Sequence, residues 1–432
     1  MTLDYSTKRL KRESTAPLEI KGDICVVGAG IAGVSAALET AQLGRRVILI
    51  DSGQTLGGQS VGSMIGTFCG LFSNGPKPYQ VTHGIADNIL HDLQQTGAVH
   101  FMYNRRNTTI VQYRIEALGR WIDESIRRAG ITVLLGGVLR SVRREGTRIL
   151  GLDIATRHGD VLVAATGYVD ASGDATLAWL AGLPVQEPAD VKIYGSMMFS
   201  LENVNDAALN SVDRKEIKAR LKEKAAAYEL VRFDGFAFIF PGVGETLINM
   251  THFETPLTPS GHAEMLLEGR RQCDQLVKFL RNEFPNAFSK ASVRSYGLPG
   301  IRQTRWIVGG YTLTADDVRT GREFPDTVVR CTWPIEIHDA ADEATWEIFG
   351  DDHMHYVPLR SLVPPETENL VAVGRCIDAD VVALSSVRVM GPCIGMGAAA
   401  AHALDLAGDH SLHGIDVPEL QRRLKRNLTE TP

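Results

Sequence analysis

The sequence predicts an α/β protein built on a Rossmann-type dinucleotide-binding domain, with an α+β substrate domain interleaved into it. Three observations lead there. The segment ICVVGAGIAGVSAALETAQLGRRVILID (24–51) joins two short β-branched runs through a glycine-rich turn and a helical apolar pattern. A further buried strand ending on glycine, NLVAVGR (369–375), returns late in the chain. Between them, residues 190–355 change character: charged helices at 214–229 and 262–284 alternate with aromatic strands such as FAFIF at 236–240.

The opening unit is the most explicit. Ile24–Val27 reads as a buried parallel strand, Ile31–Leu43 as a helix stopped by Gly44, and Val47–Ile50 as a second buried strand. Gly28, Gly30 and Gly33 spell G-x-G-x-x-G, and Asp51 stands at the end of the second strand, 18 residues past Gly33. In such a unit the first glycine makes the tight turn and the second lets backbone approach a pyrophosphate. The third lets the helix lie close on the strand. The helix N-terminus then offers free N–H groups to the phosphates, and the acid accepts from the adenosine ribose hydroxyls.

The remaining elements follow in order. Leu56–Gly75 is glycine-rich and poor in charge, as expected of backbone lying against a ligand. A helix over 113–128 buries Ile115, Leu118, Trp121, Ile122 and Ile126 on one face. A strand at 131–135 and a meander (139–143, 149–156, 161–164) come next. Gly391–Gly408 is a small-residue helix. This partition assigns 20–75, 113–189 and 356–410 to the nucleotide-binding domain and 76–112 with 190–355 to the substrate domain. Residues 1–19 and 411–432 are left as tails.

Composition narrows the partners. Lys plus Arg number 45 against 51 Asp plus Glu, a net charge of −6, which argues against a nucleic-acid partner. The basic run KRLKR (8–12) and Arg143–Arg144 are too short to change that. The six cysteines (25, 69, 273, 331, 376, 393) show no C-x-x-C pair and no metal-like spacing, so they read as reduced thiols of a cytoplasmic protein. The N-terminus lacks the apolar core of a secretory signal, and no segment reads as a membrane span. A small-molecule substrate is the expected partner, with an oligomer left open.

The opening unit, the ATG at Ala165–Gly167 with the DASGD after it, and the late strand ending Gly374–Arg375 resemble FAD-dependent oxidoreductases of the glutathione-reductase-like superfamily. GIRQTRWIVGGYTLTADDV, PIEIHD, HYVPLRSLVPPETENLVAVGRCI and VRVMGPCIGMGAAAA narrow the resemblance to the largely substrate-unassigned "FAD-dependent oxidoreductase" group, over roughly residues 20–410. The resemblance implies FAD as cofactor. It implies a cofactor site at Gly28, Gly30, Ala32, Gly33, Asp51, Ser52, Gly57, Gly58, Gln59, Gly374, Arg375, Gly395 and Met396. Where many superfamily members carry Gly-Asp, this chain has Gly374-Arg375, leaving Asp378 or Asp380 to hold the ribityl chain.

The late helix suits two roles. Pro392 suits a first helical turn, and the glycines of 391–397 either bring a helix N-terminus to the flavin or merely pack tightly in a core. With one G-x-G-x-x-G and no second dinucleotide unit, electrons are expected from an organic substrate. The expected reaction takes a hydride from a C–OH or C–N carbon of a small polar substrate and passes electrons to oxygen or another acceptor. The alternatives are reduction of an activated C=C bond, with an arginine as proton donor, or a non-catalytic flavin-binding protein. Arg302 and Arg305 are candidates to clamp a substrate carboxylate, and His338 and His355 to act as general base. Cys69 is either a thiol facing the flavin or a buried structural cysteine. His353 and His355 lack a third ligand, so no metal is expected.

Overall fold

The computed structural model describes residues 5–9, 11, 16–103, 106–240, 243–255 and 257–431; the basic run at 8–12 lies partly outside them. Five parallel strands form the central sheet: β1 (Ile24–Val27), β2 (Val47–Asp51), β3 (Thr132–Leu135), β4 (Gly167–Asp170) and β5 (Leu370–Ala372). Their order is β5-β4-β1-β2-β3. Val26 sits beside Val169 on one side and Leu49 on the other. β-Branched runs make these strands because helices and loops cover both faces, so every side chain of β1 is buried.

Helix α1 (Ile31–Gln42) connects β1 to β2, and α2 (Met390–Ala407) follows β5. The two helices touch at backbone level: a Cβ added to Gly397 would stand 2.4 Å from the Ala32 carbonyl oxygen. Ser35 Oγ secures the contact by donating to Ile394 O at 2.8 Å. Small residues on both helices permit this approach, and van der Waals packing holds it.

Three segments interrupt the sheet. Between β2 and β3 lie a helix (Ile85–Gln95), a hairpin (Val99–Tyr103 with Thr109–Tyr113) and the amphipathic helix Ile115–Arg128. Ile85 N–H donates to Glu39 of α1 at 3.2 Å, so the first of these helices packs on the central layer. After β3 the expected meander forms a four-stranded sheet, Leu18–Lys21 adding a parallel edge strand. The chain from β4 to β5 builds a separate antiparallel sheet, in order Phe236–Ile239, Glu245–Asn249, Phe199–Glu202, Ser292–Tyr296. Helices Arg214–Tyr228 and Pro259–Glu283 cover it over a core of Phe199, Leu201, Leu276, Phe279 and Leu280. Thr258 caps the longer helix by accepting from Gly261 N–H, with Pro259 in its first turn. Among the described residues no single helix is long and apolar enough to cross a membrane.

Candidate active site

A cavity of about 1570 Å³ opens at the carboxyl ends of β1, β2, β4 and β5 and runs toward the antiparallel sheet. It exceeds the ~300–1,000 Å³ typical of a pocket for one drug-sized ligand, and such crevices are where parallel α/β sheets bind ligands.

At one end the wall is Gly28, Gly30, Ala32, Asp51 and Ser52. Gly28 holds φ +106°, and a Cβ there would stand 2.2 Å from Ala171 O, where β4 leaves the sheet, so only glycine fits. The first turn of α1 contains no acid, and its N-cap, Gly30, supplies no side-chain acceptor. Its N–H groups are therefore free for an anion. A Cβ on Gly30 meets nothing within 4 Å, whereas one on Gly33 would stand 1.9 Å from Gly28 O. Gly33 is thus a packing residue off the cavity. Asp51 accepts from Ala29 N–H and Gly53 N–H, each at 2.6 Å, tying the glycine turn to the loop after β2. Gly58 and Gln59 line the wall, and Gly57 stands behind it, donating to Ala29 O at 2.8 Å.

Midway along, Gly374 and Arg375 reach the cavity beside Asp174. Arg375 Nη1 is buried without a hydrogen-bond partner among the described residues, and Asp174 Oδ1 lies 3.8 Å away. Asp378 is off the cavity, contrary to expectation. Its carboxylate accepts from Gln186 Nε2 (3.0 Å), Gly309 N–H (2.8 Å) and Thr312 Oγ1 (3.2 Å), bracing the segment around 309. Asp380 is also committed, capping the helix Val381–Val387 through Ala383 N–H.

The start of α2 borders the middle of the cavity through Met390 and Cys393, with Val389 before it. Gly395 and Met396 are off the wall, a second correction: Gly395 packs on Val329, and Met396 stands behind Gly374, its Sδ accepting from Gly374 N–H at 3.2 Å. The glycines here serve close packing, since a Cβ on Gly391 would stand 2.1 Å from Gly70 O. Cys69 is on the wall, and burial, with Glu336 adding to it, raises its thiol pKa, so the thiol stays protonated.

The far end gathers Arg232, Arg302, Arg388, Asp234 and Glu336. Arg302 donates to Tyr194 O (2.6 Å) and Ser196 Oγ (3.1 Å). Burial, then the neighbouring Arg388 and Arg232 guanidiniums, hold its pKa well below the usual arginine value. Arg388 donates one Nη2–H to the Glu336 carbonyl at 3.0 Å and keeps a buried Nε–H with no partner among the described residues. Arg232 is paired with Asp234 at 2.6 Å.

Three expected catalytic side chains stand elsewhere. Arg305 lies 4.0 Å from the centre of the Trp179 ring, outside the cavity wall. His355 is fully buried against Ser386 (2.9 Å), and burial, with His353 nearby, pushes its pKa down to about 3. His338 is 1% exposed and sits behind Glu336, so it cannot touch a substrate itself. Glu336 and Arg388 went unnoticed in the sequence. The alternation Ile335–Glu336–Ile337, buried–open–buried on one short strand, was the available signal for the first.

A family model described as FAD dependent oxidoreductase matches residues 23–424. The chain belongs to that family. It is an oxidoreductase and FAD is its cofactor. In this FAD-dependent oxidoreductase the free first turn of α1, the open space over Gly30, Asp51 and the unpartnered Arg375 Nη1 all fit the cofactor's adenosine and phosphates. Solved structures with a similar course include a geranylgeranyl bacteriochlorophyll reductase-like protein from Thermoplasma acidophilum (14% identity, 94% of this chain and 83% of that one, TM-score 0.49). Others are the flavin-dependent brominase Bmp2 (13%, 94% and 83%, 0.46) and p-nitrophenol 4-monooxygenase PnpA from Pseudomonas putida DLL-E4 (10%, 95% and 82%, 0.47). No curated protein matches the chain in sequence.

Proposed function

We propose that the enzyme oxidises a small polar substrate bearing a carboxylate or similar anionic group, taking a hydride from its C–OH or C–N carbon and passing the electrons to oxygen or another acceptor. One observation carries the reading: Arg302 and Arg388 both face the cavity, and neither has a carboxylate within 4.0 Å among the described residues. Two crowded guanidiniums with no carboxylate in contact favour an anion, which a planar N–H fork binds in fixed orientation. FAD, when bound, supplies the two-electron sink. The chain's own part is to hold the substrate anion on Arg302 and Arg388, to keep water out with Trp333, Trp346 and Met198, and to receive a proton on an acid at the wall.

The test is an anaerobic screen of 2-hydroxy acids and amino acids against matched uncharged alcohols and amines, following loss of flavin absorbance. Anionic compounds bleach the flavin, and Arg302→Ala raises the half-saturating concentration about 10- to 150-fold, the worth of a charged hydrogen bond of ~1.5–3 kcal/mol. Equal reduction by the uncharged set refutes the reading. Reoxidation of dithionite-reduced enzyme by 2-enoates, without bleaching by any hydroxy or amino acid, supports reduction of an activated C=C bond instead.

A further inference from the structure

Behind the far wall three side chains form an unbroken line of polar contacts. The Ala341 carbonyl faces His252 Nδ1 at 2.9 Å, His252 Nε2 faces His338 Nδ1 at 3.0 Å, and His338 Nε2 faces Glu336 Oε1 at 3.1 Å. A carbonyl oxygen only accepts, so a neutral His252 carries its proton on Nδ1 and turns a bare Nε2 toward His338. The two remaining contacts need one proton each, and a neutral His338 brings only one. With Glu336 ionised, one contact therefore sets two lone pairs against each other. The line is one proton short.

An imidazolium is a poor home for the missing proton. Burial pushes the pKa of both rings down, and the guanidiniums of Arg302 and Arg232 push the same way. His252 and His338 are each 1% exposed, whereas Glu336 opens onto the cavity. Around the line stand Arg302, Arg232, Arg388 and Arg106, from four separate segments, with Cys69 across the wall. A buried polar atom without a partner is costly, and a proton delivered to Glu336 turns the unmade contact into a made one.

Resting on the reading of an oxidised anionic substrate, we propose that Glu336 accepts the proton leaving the substrate O–H or N–H. The buried His338–His252 pair assists by converting an unmade hydrogen bond into a made one. The substrate O–H or N–H bond breaks and a Glu336 O–H bond forms. The freed electron pair stays on the heteroatom and becomes the second bond of C=O or C=N, while the two electrons of the C–H bond go to the FAD as oxidant. Glu336 is the catalytic residue, and His338 and His252 are positioning residues.

The FAD-loaded protein labelled with ¹⁵N-histidine tests this without a known substrate. His252 Nδ1 stays protonated at every pH where the fold holds. As pH falls, His338 Nε2 passes through one transition from a bare to a hydrogen-bond-accepting nitrogen. Glu336→Gln supplies a permanent amide donor, so the transition disappears while FAD content and melting temperature are kept. With a reducing substrate from the screen in hand, the same variant loses about 100-fold or more in kcat at little change in KM. His338→Gln shifts the acidic limb of the pH–rate profile.

A His338 that ignores pH, a transition that survives in Glu336→Gln, or a Gln variant that turns over normally overturns the relay. If Glu336→Gln fails to fold, the wild-type titration still decides. A normal transition with no anionic substrate found would sink the substrate reading and leave the relay standing.

Discussion

Gly30 and Gly33 separate cofactor contact from packing in a single turn of helix. Gly30 has φ −68° and ψ 176°, which any residue adopts, and its added Cβ meets no protein atom within 4 Å. Gly30→Ala therefore leaves the apoprotein near wild-type stability: the poorer N-cap, ~1 kcal/mol, is offset by ~0.4–1 kcal/mol of unfolded-state entropy. The same methyl occupies the space assigned to the pyrophosphate, and forcing a group into a filled site costs about 1–3 kcal/mol, or roughly 5- to 150-fold in FAD affinity. Gly33→Ala behaves in the opposite way. Its Cβ would stand 1.9 Å from Gly28 O and 3.1 Å from Ala171 Cβ, and backbone cannot swing aside as a side-chain tip can. The apoprotein itself then loses stability. The assay is paired melting curves of stripped protein with and without FAD, plus a fluorescence titration. FAD at 100 times its Kd adds about 2.7 kcal/mol to the wild type, and a 5- to 150-fold weakening removes roughly 0.9 to 2.4 kcal/mol of that gain in Gly30→Ala at an unchanged apo melting temperature. A Gly30→Ala protein that binds FAD as tightly as wild type would refute the assignment of this helix end to the phosphates.

Asp51→Ala removes the acceptor of Ala29 and Gly53 N–H, so FAD weakens by roughly 1–3 kcal/mol in a titration while the fold persists. Arg305→Ala loses only its stacking on Trp179, about 0.5–1 kcal/mol by denaturant unfolding, and reduces its flavin at the wild-type rate. His355 has a pKa near 3 when folded against an ordinary value of 6.5, so the unfolded chain binds a proton that the fold refuses between those pH values. Stability consequently falls by up to about 1.4 kcal/mol per pH unit as pH drops from 6.5 toward 3. His355→Gln, which keeps a donor to Ser386, flattens that slope in urea titrations; an unaltered slope would place the titrating group elsewhere.

Local features were legible in the sequence and long-range ones were not. β1, the glycine turn, α1, β2 and Asp51 lie within 28 residues, and each element's pattern agrees with its neighbours'. Arg302 and Arg305 look paired by their spacing of three, but 301–305 is irregular, and the two side chains diverge to the cavity and to Trp179. Helix phase explains the misplaced glycine of α2. Met390 and Cys393 share one side and Gly395 falls on the other, whereas Met396, three residues past Cys393, sits one turn deeper with its sulfur taken by Gly374 N–H. Glu336 owes its setting to His338, Arg388 and Arg302, which only the folded chain brings together.

The backbone contact between α1 and α2 has a consequence for biosynthesis. α1 is complete by residue 42, but its partner ends at residue 407, so some 365 residues must be polymerised in between. At about 5–20 residues per second, that is a wait of roughly 20–70 s. Throughout it, the face of α1 that finally rests on Ser35–Ile394 and Ala32–Gly397 has nothing to cover it. A ribosome-bound chain thus carries an apolar helix in search of a companion, and β5, the last strand, also arrives late. The cavity wall itself needs residues 373–375 and 388–393, so it is complete only when the last tenth or so of the chain has been made, and holding factors that shield α1 in the interim should raise the yield of folded protein.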